Sequence, residues 1–128
     1  MSDKSKNKIQ KLFTENHYKK FLTECRDEID TQFSGFWNGL TKQEQLTWLD
    51  SVVRDSKKLG FGNEYLIKDY LKIVCKIGKD FLKDSTVSDD LIRFITDSNF
   101  SPYVRTRDAN RWIDKNTPKV SFPEKIKS

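Results

Sequence analysis

Asp55-Ser56-Lys57-Lys58-Leu59-Gly60-Phe61-Gly62-Asn63-Glu64-Tyr65-Leu66-Ile67-Lys68-Asp69-Tyr70-Leu71-Lys72-Ile73-Val74-Cys75-Lys76-Ile77-Gly78-Lys79-Asp80-Phe81 reads as the end of one helix, a glycine stop and a long second helix. Gly60 suits the left-handed residue that follows a helix, and Phe61 suits the apolar contact that accompanies such a stop. Asn63 is placed to cap a helix over about 64 to 83. Its apolar positions, Leu66, Ile67, Tyr70, Leu71, Val74, Ile77 and Phe81, form a stripe wide enough for a central helix. Gly78 falls inside that span, where glycine costs about 1 kcal/mol relative to alanine. The reading therefore expects a neighbour to approach closely there.

Helical spacing continues on both sides. Phe13, His17, Phe21, Cys25, Ile29 and Phe33 lie four apart, predicting a helix over about 14 to 33 with Thr14 as its cap. Ser34 to Leu40, with two glycines around Phe36-Trp37, reads as a packed loop. Thr41-Lys42-Gln43-Glu44 is a capping box, and the helix it starts carries Leu46, Leu49 and Val53 to the Gly60 stop. Ser88 caps a short helix over about 89 to 97, and Ser101-Pro102 opens a last one bearing Tyr103, Val104, Trp112 and Ile113. The fold class is all-α, a compact bundle of about five helices, three of them long, joined by short loops that favour antiparallel neighbours. Residues 13–115 form the single helical domain. Residues 1–12 are read as a basic, flexible N-terminal segment and 116–128 as an extended or disordered basic tail.

Composition narrows the function classes. A chain of 128 residues is one domain, and 12% aromatic content argues against disorder. The formal net charge of +5 is a property of the tails: 1–11 and 115–128 each carry +3, which leaves 12–114 at −1. A duplex-binding domain would place its basic excess on the folded surface. The N-terminus lacks the apolar run of a signal peptide, and no stretch approaches the ~20 apolar residues of a membrane span. Cys25 and Cys75 are read as reduced, buried thiols of a cytoplasmic protein, with a disulfide between them as the alternative.

Residues with chemical potential are few. His17 and Cys25 share a helix face, but eight residues of helix separate them by ~12 Å, too far for a nucleophile pair. His17 is read as a partly buried structural residue. One histidine and two scattered cysteines do not make a zinc site. Of the acid pairs, Asp27/Glu28 sit on a helix rich in Lys and Arg and Asp89/Asp90 are first-turn anions of a helix; Asp80/Asp84 remains, and since sequence does not show carboxylates facing across a cleft, carboxylate catalysis is disfavoured. Gly60-Phe61-Gly62 lacks the strand and the lysine of a phosphate loop. Neither catalytic residues, a metal nor a cofactor is assigned.

Two clusters remain as candidate protein-binding residues. Lys68, Lys72, Lys76 and Lys79, continued by Lys83, form a basic stripe. It reads either as a solvated face or as a docking face for an acidic partner. Tyr103, Arg105, Arg107 and Arg111, with Trp112, combine arginine with aromatic neighbours, a composition shared by protein interfaces and nucleic-acid contacts; a structural role, with the arginines packed over Trp112 and paired to acids, is the equal alternative. A helix-turn-helix DNA reader is disfavoured because the helix after Gly60 opens apolar, Glu64-Tyr65-Leu66-Ile67, where a recognition helix is polar and exposed.

The order Lys58-Leu59-Gly60-Phe61, Glu64, Ile67, Tyr70-Leu71, Gly78 and Phe81 resembles a pattern in small helical accessory proteins encoded beside bacterial type VI secretion and polymorphic-toxin genes. Asp90 to Asp114, with Arg105-Thr106-Arg107 at the start of its second helix, is similar too, so the likeness spans roughly 13–114. The chain departs from the pattern at Lys58-Leu59, where arginine and tyrosine are usual. The resemblance implies a non-catalytic protein-binding accessory, an adaptor or chaperone, for a secreted effector or its delivery machinery. An immunity protein that neutralises a toxin is the alternative, and a nucleic-acid-binding domain a further one. The partner is expected to be a protein, with no membrane involved and the oligomeric state open.

Overall fold

The computed structural model describes residues 3–84 and 87–116, with side chains from Glu15 onward. Five α-helices follow one another: α1 (Asp3–Gln32), α2 (Lys42–Lys58), α3 (Glu64–Ile77), α4 (Asp89–Thr96) and α5 (Pro102–Asn116). A 3-10 turn, Phe81–Lys83, lies between α3 and α4. Among the described residues there is no strand, and no helix is long and apolar enough to cross a membrane. The tail from 117 onward lies outside the described residues.

The punctuation read from the sequence acts as atoms require. Thr41 and Glu44 form both halves of the capping box, Glu44 N–H donating to Thr41 Oγ1 at 3.1 Å and Thr41 N–H to Glu44 Oε1 at 2.9 Å. At the other end of α2, Phe61 N–H reaches Ser56 O (2.9 Å) and Gly60 N–H reaches Lys57 O (3.0 Å), the paired bonds of a Schellman stop. Gly60 takes φ +92° to make that turn. Asn63 Oδ1 then accepts Leu66 N–H at 2.8 Å and opens α3.

Two expected helices have different ends. α1 begins at Asp3 rather than near residue 14, so Thr14 is not its cap and the helix takes in most of the basic N-terminal segment. No glycine or proline interrupts 3–32, and the added turns consist largely of lysine, glutamine, leucine and asparagine, of which the first three are good helix formers. α3 stops at Ile77. Gly78 is its C-cap at φ 103°, ψ 150°, a conformation open in practice only to glycine. Gly78 therefore ends the helix instead of admitting a neighbour to its interior, and the chain bends so that Phe81 tucks beneath at 1% exposure.

α3 is the central element. It buries seven of its fourteen residues and packs against α1, α2 and α5. Around it close Phe21, Leu22, Cys25 and Ile29 of α1, Leu49, Val52 and Val53 of α2, Leu91 and Ile95 of α4, and Ala109 and Ile113 of α5. α2 returns along α1, with Tyr18 bonded to Asp50 and lying under Lys57 while Trp37 in the loop meets Trp48. α3 and α5, separated by the return through α4, run parallel. Tyr65 meets Tyr103 at their first turns and Lys76 meets Asp114 at their last, the partners being 38 residues apart at both ends. That constant offset puts the exposed edges of the two helices side by side over about 16 Å, from ~1.5 Å of rise per residue.

Candidate binding groove

The exposed edges of α3 and α5, joined by Gln32 and Phe33 from the end of α1, bound an open groove of about 570 Å³. From α3 come Tyr65, Asp69, Lys72 and Lys76; from α5 come Tyr103, Val104, Arg107, Asn110, Arg111 and Asp114. Each set repeats at three- and four-residue steps, so each is one edge of its helix. Two tyrosines mark the upper end, Tyr65 63% and Tyr103 51% exposed, their ring centroids 5.8 Å apart. Asn63 Nδ2 donates to Tyr103 Oη at 2.8 Å, so the residue that caps α3 also holds this tyrosine in place.

Of the eight residues singled out in the sequence, five line the groove: Lys72, Lys76, Tyr103, Arg107 and Arg111. Lys72 Nζ lies 3.9 Å from Asp69 Oδ1, and Lys76 Nζ donates to Asp114 Oδ1 at 2.5 Å. Arg107 Nε donates to the adjacent Asp108 at 3.2 Å. Arg111 is exposed and, among the described residues, carries no ion pair. Lys68 stands beside the groove. Its ammonium donates to Glu28 Oε1 at 2.9 Å, fastening α1 to α3, and that bond, working against burial, raises its pKa above the ordinary lysine value. Lys79 does not line the groove, because the helix that would align it with Lys76 has ended.

Arg105 turns inward and is not a surface residue. It is 9% exposed, its Nη1 donates to Ile95 O at 2.9 Å and its Nη2 to Leu59 O at 3.1 Å. The guanidinium also lies over the Phe61 ring, 4.7 Å from the centroid. Tyr103, Arg105, Arg107 and Arg111 thus divide by helical angle. The three at four-residue steps share the groove edge, while Arg105, two residues after Tyr103, points away from it.

Tyr65, Asp69, Asn110 and Asp114 were missed as groove residues. Tyr65 had a legible signal, being a large aromatic that falls off the apolar stripe of its own helix. Nothing in the sequence pairs Asp69 with Thr106, whose hydroxyl is 3.5 Å away, or Asp114 with Lys76, because those contacts depend on the register of two helices.

Among the described residues, the groove's lining contains no cysteine, histidine or serine. His17, expected to be partly buried, is exposed and bonded to Glu64 Oε1 at 2.8 Å, linking α1 to the start of α3. A four-residue step advances about 40° around a 3.6-residue helix, so two steps from Cys25 carry His17 off the buried face. Among the described residues no group of histidine, cysteine and carboxylate side chains is arranged to hold a metal ion. A second groove of about 380 Å³ lies between α1 and α2, and among the described residues that line it Tyr18 is the one aromatic.

Cys25 and Cys75 are free thiols in the core, and burial pushes the pKa of each from an ordinary 9.0 up to about 12. Ellman's reagent at pH 8 should therefore leave the folded chain unlabelled and react with both thiols in guanidinium. Rapid labelling of either in the folded chain would contradict this burial. The same shift sets an alkaline trend. Between about pH 9 and 12 the unfolded thiols release protons that the folded thiols keep, so stability falls with rising pH, by up to about 1.4 kcal/mol per unit for each thiol. Below pH 9 both states hold these protons and the contribution is complete.

No family model matches the chain, and neither the curated proteins nor the solved structures compared with it contain a match.

Proposed function

We propose that the chain is a non-catalytic protein-binding domain that receives another protein in the α3–α5 groove. One observation carries this reading: an exposed tyrosine pair sits beside four cations on two parallel helices. Exposed tyrosine and arginine together are the side chains that dominate binding energy at protein interfaces. Within that reading, the sequence resemblance favours an adaptor or chaperone for a secreted bacterial effector or its delivery machinery. Asp69 and Asp114 inside the groove weigh against a nucleic-acid backbone as its ligand.

The test is quantitative capture from native cells by the tagged full chain, compared with a Tyr65→Ser/Tyr103→Ser variant. Both tyrosines are more than half exposed, so the variant should keep its helical circular dichroism. At least one protein should be captured by the parent chain and weakened at least ~10-fold by the variant, the scale of losing an interface hot spot. Identical protein sets from both chains, or none from either, would overturn the reading.

A further inference from the structure

We propose that the groove selects an extended acidic segment of its partner, and that Asp114 is a built-in competitor occupying Lys76 until a partner carboxylate displaces it. This rests on the protein-binding reading above. The groove is lined by Lys72, Lys76, Arg107 and Arg111 against Asp69 and Asp114, and Asp108, bonded to Arg107 from beside the lining, leaves an excess of one cation on a body that is otherwise slightly acidic. The two acids differ in kind. Asp69 is 17% exposed and lies against the Thr106 hydroxyl, so it belongs to the α3–α5 seam. Asp114 is 65% exposed, whereas its partner Lys76 is only 18% exposed. Lys76 is the covered member of the pair and Asp114 the one that reaches water. An incoming carboxylate can replace Asp114 there because Asp114 is the exposed member of the pair and returns to water when displaced.

Spacing supports an extended occupant. Tyr103, Arg107 and Arg111 succeed one another at four-residue steps, about 6 Å apart along the helix. Alternate residues of an extended chain lie about 6.6–6.8 Å apart on one face. An apolar residue over the tyrosine pair would then place acids two and four residues on opposite Arg107 and Arg111, which can take a carboxylate by two parallel N–H donors. Arg111, which has no ion pair among the described residues, offers the first such site. A continuous polyanion would have to pass Asp69 and Asp114, whereas a peptide with alternating charge need not.

The test uses the full chain with fluorescein-labelled peptides Phe-Ser-Glu-Ser-Glu and its reverse, followed by fluorescence anisotropy at low and moderate salt. The lysine counterpart and a single-stranded dT10 serve as controls. An acidic peptide should bind at least ~10-fold more tightly than the lysine peptide, and Arg107→Glu/Arg111→Glu should remove that preference. Asp114→Asn should tighten binding several-fold by freeing Lys76. All three positions are exposed, and unchanged circular dichroism confirms folding. Weaker binding by Asp114→Asn would overturn the competitor role. Equal affinity for acidic and basic peptides would overturn the acidic selectivity, and so would dT10 binding as tightly as the peptide with the same arginine dependence. If acidic peptides fail while cellular capture still requires Tyr65 and Tyr103, the protein-binding reading survives and the acidic chemistry falls. If peptides bind but capture does not depend on the tyrosines, the reverse holds.

Discussion

Replacing Arg105 by Met should destabilise the chain by about 3–5 kcal/mol, the largest effect expected of any charged residue here. Leu59 is the C-cap of α2, and Ile95 is in the last turn of α4. Their carbonyls belong to the set that a helix end leaves without an internal partner. A single guanidinium serves both, at 3.1 and 2.9 Å, and sits where two helix dipoles present partial negative charge. Hydrogen bonds to a charged group contribute about 1.5–3 kcal/mol each, and the cation over Phe61 adds about 0.5–2. The arrangement has its own cost, because Arg105 Nε is buried without a hydrogen-bond partner among the described residues. Gly60 lies beside this site, but it is its φ of +92°, not the space before Arg105, that requires glycine: a Cβ there would stand 3.4 Å from Arg105 Nη2, an ordinary contact. Lysine should recover only part of the loss, since one ammonium cannot fork to two carbonyls or lie flat on a ring. Urea unfolding followed by circular dichroism measures both variants. A loss under about 1 kcal/mol for Arg105→Met would mean that water replaces the guanidinium.

Phe36→Ala should cost a similar amount, about 3–5 kcal/mol, although Phe36 lies in a loop. Its ring is fully buried and meets Trp37 at 5.1 Å and Trp48 at 5.4 Å, both near edge-on. The link between α1 and α2 is folded around it. Gly35, Asn38 and Gly39 take positive φ values of 78°, 42° and 81°, and Trp37 Nε1 donates back to Arg26 O at 3.1 Å. Removing the ring leaves a cavity beside the Trp37–Trp48 pair, against which the ring packs. Urea unfolding should show the loss, and tryptophan emission should shift to the red as Trp37 and Trp48 gain water. Phe36→Leu, which keeps most of the volume, should lose less than half as much. Equal losses for Ala and Leu would show that the site needs an aromatic edge and not filled space.

Local chemistry made much of this fold legible. Thr41 with Glu44, Gly60 with Phe61, Asn63, Ser88 and Ser101-Pro102 each mark a boundary through bonds made within about five residues, so sequence order is nearly spatial order. The errors arose where two local rules competed. Gly78 is tolerable inside a helix or useful at its end, and only its φ of 103° shows which applies. The apolar stripe continued through Phe81 in either case, because the bent chain returns that ring to the core.

The groove was less legible for a related reason. Lysines at three- and four-residue steps identify one face of a helix, but what that face meets is decided elsewhere in the chain. Lys68 clasps α1 through Glu28, Lys76 is answered by Asp114, and Lys79 has left the helix. Likewise a count of arginines could not tell Arg105, which holds two helix ends, from Arg107 and Arg111, which face water.

By itself the sequence determined that the protein is built from helices, where most of them stop, and that α3 lies at the centre, since each follows from short-range bonding and from which side chains avoid water. Only the tertiary structure decided that α3 and α5 run parallel with a constant offset of 38 residues, bringing Tyr65 to Tyr103 and Lys76 to Asp114. The physical reason is that register between non-adjacent helices is set by the packing of the whole core. No local stretch, including the one that ends α2 and begins α3, contains that information.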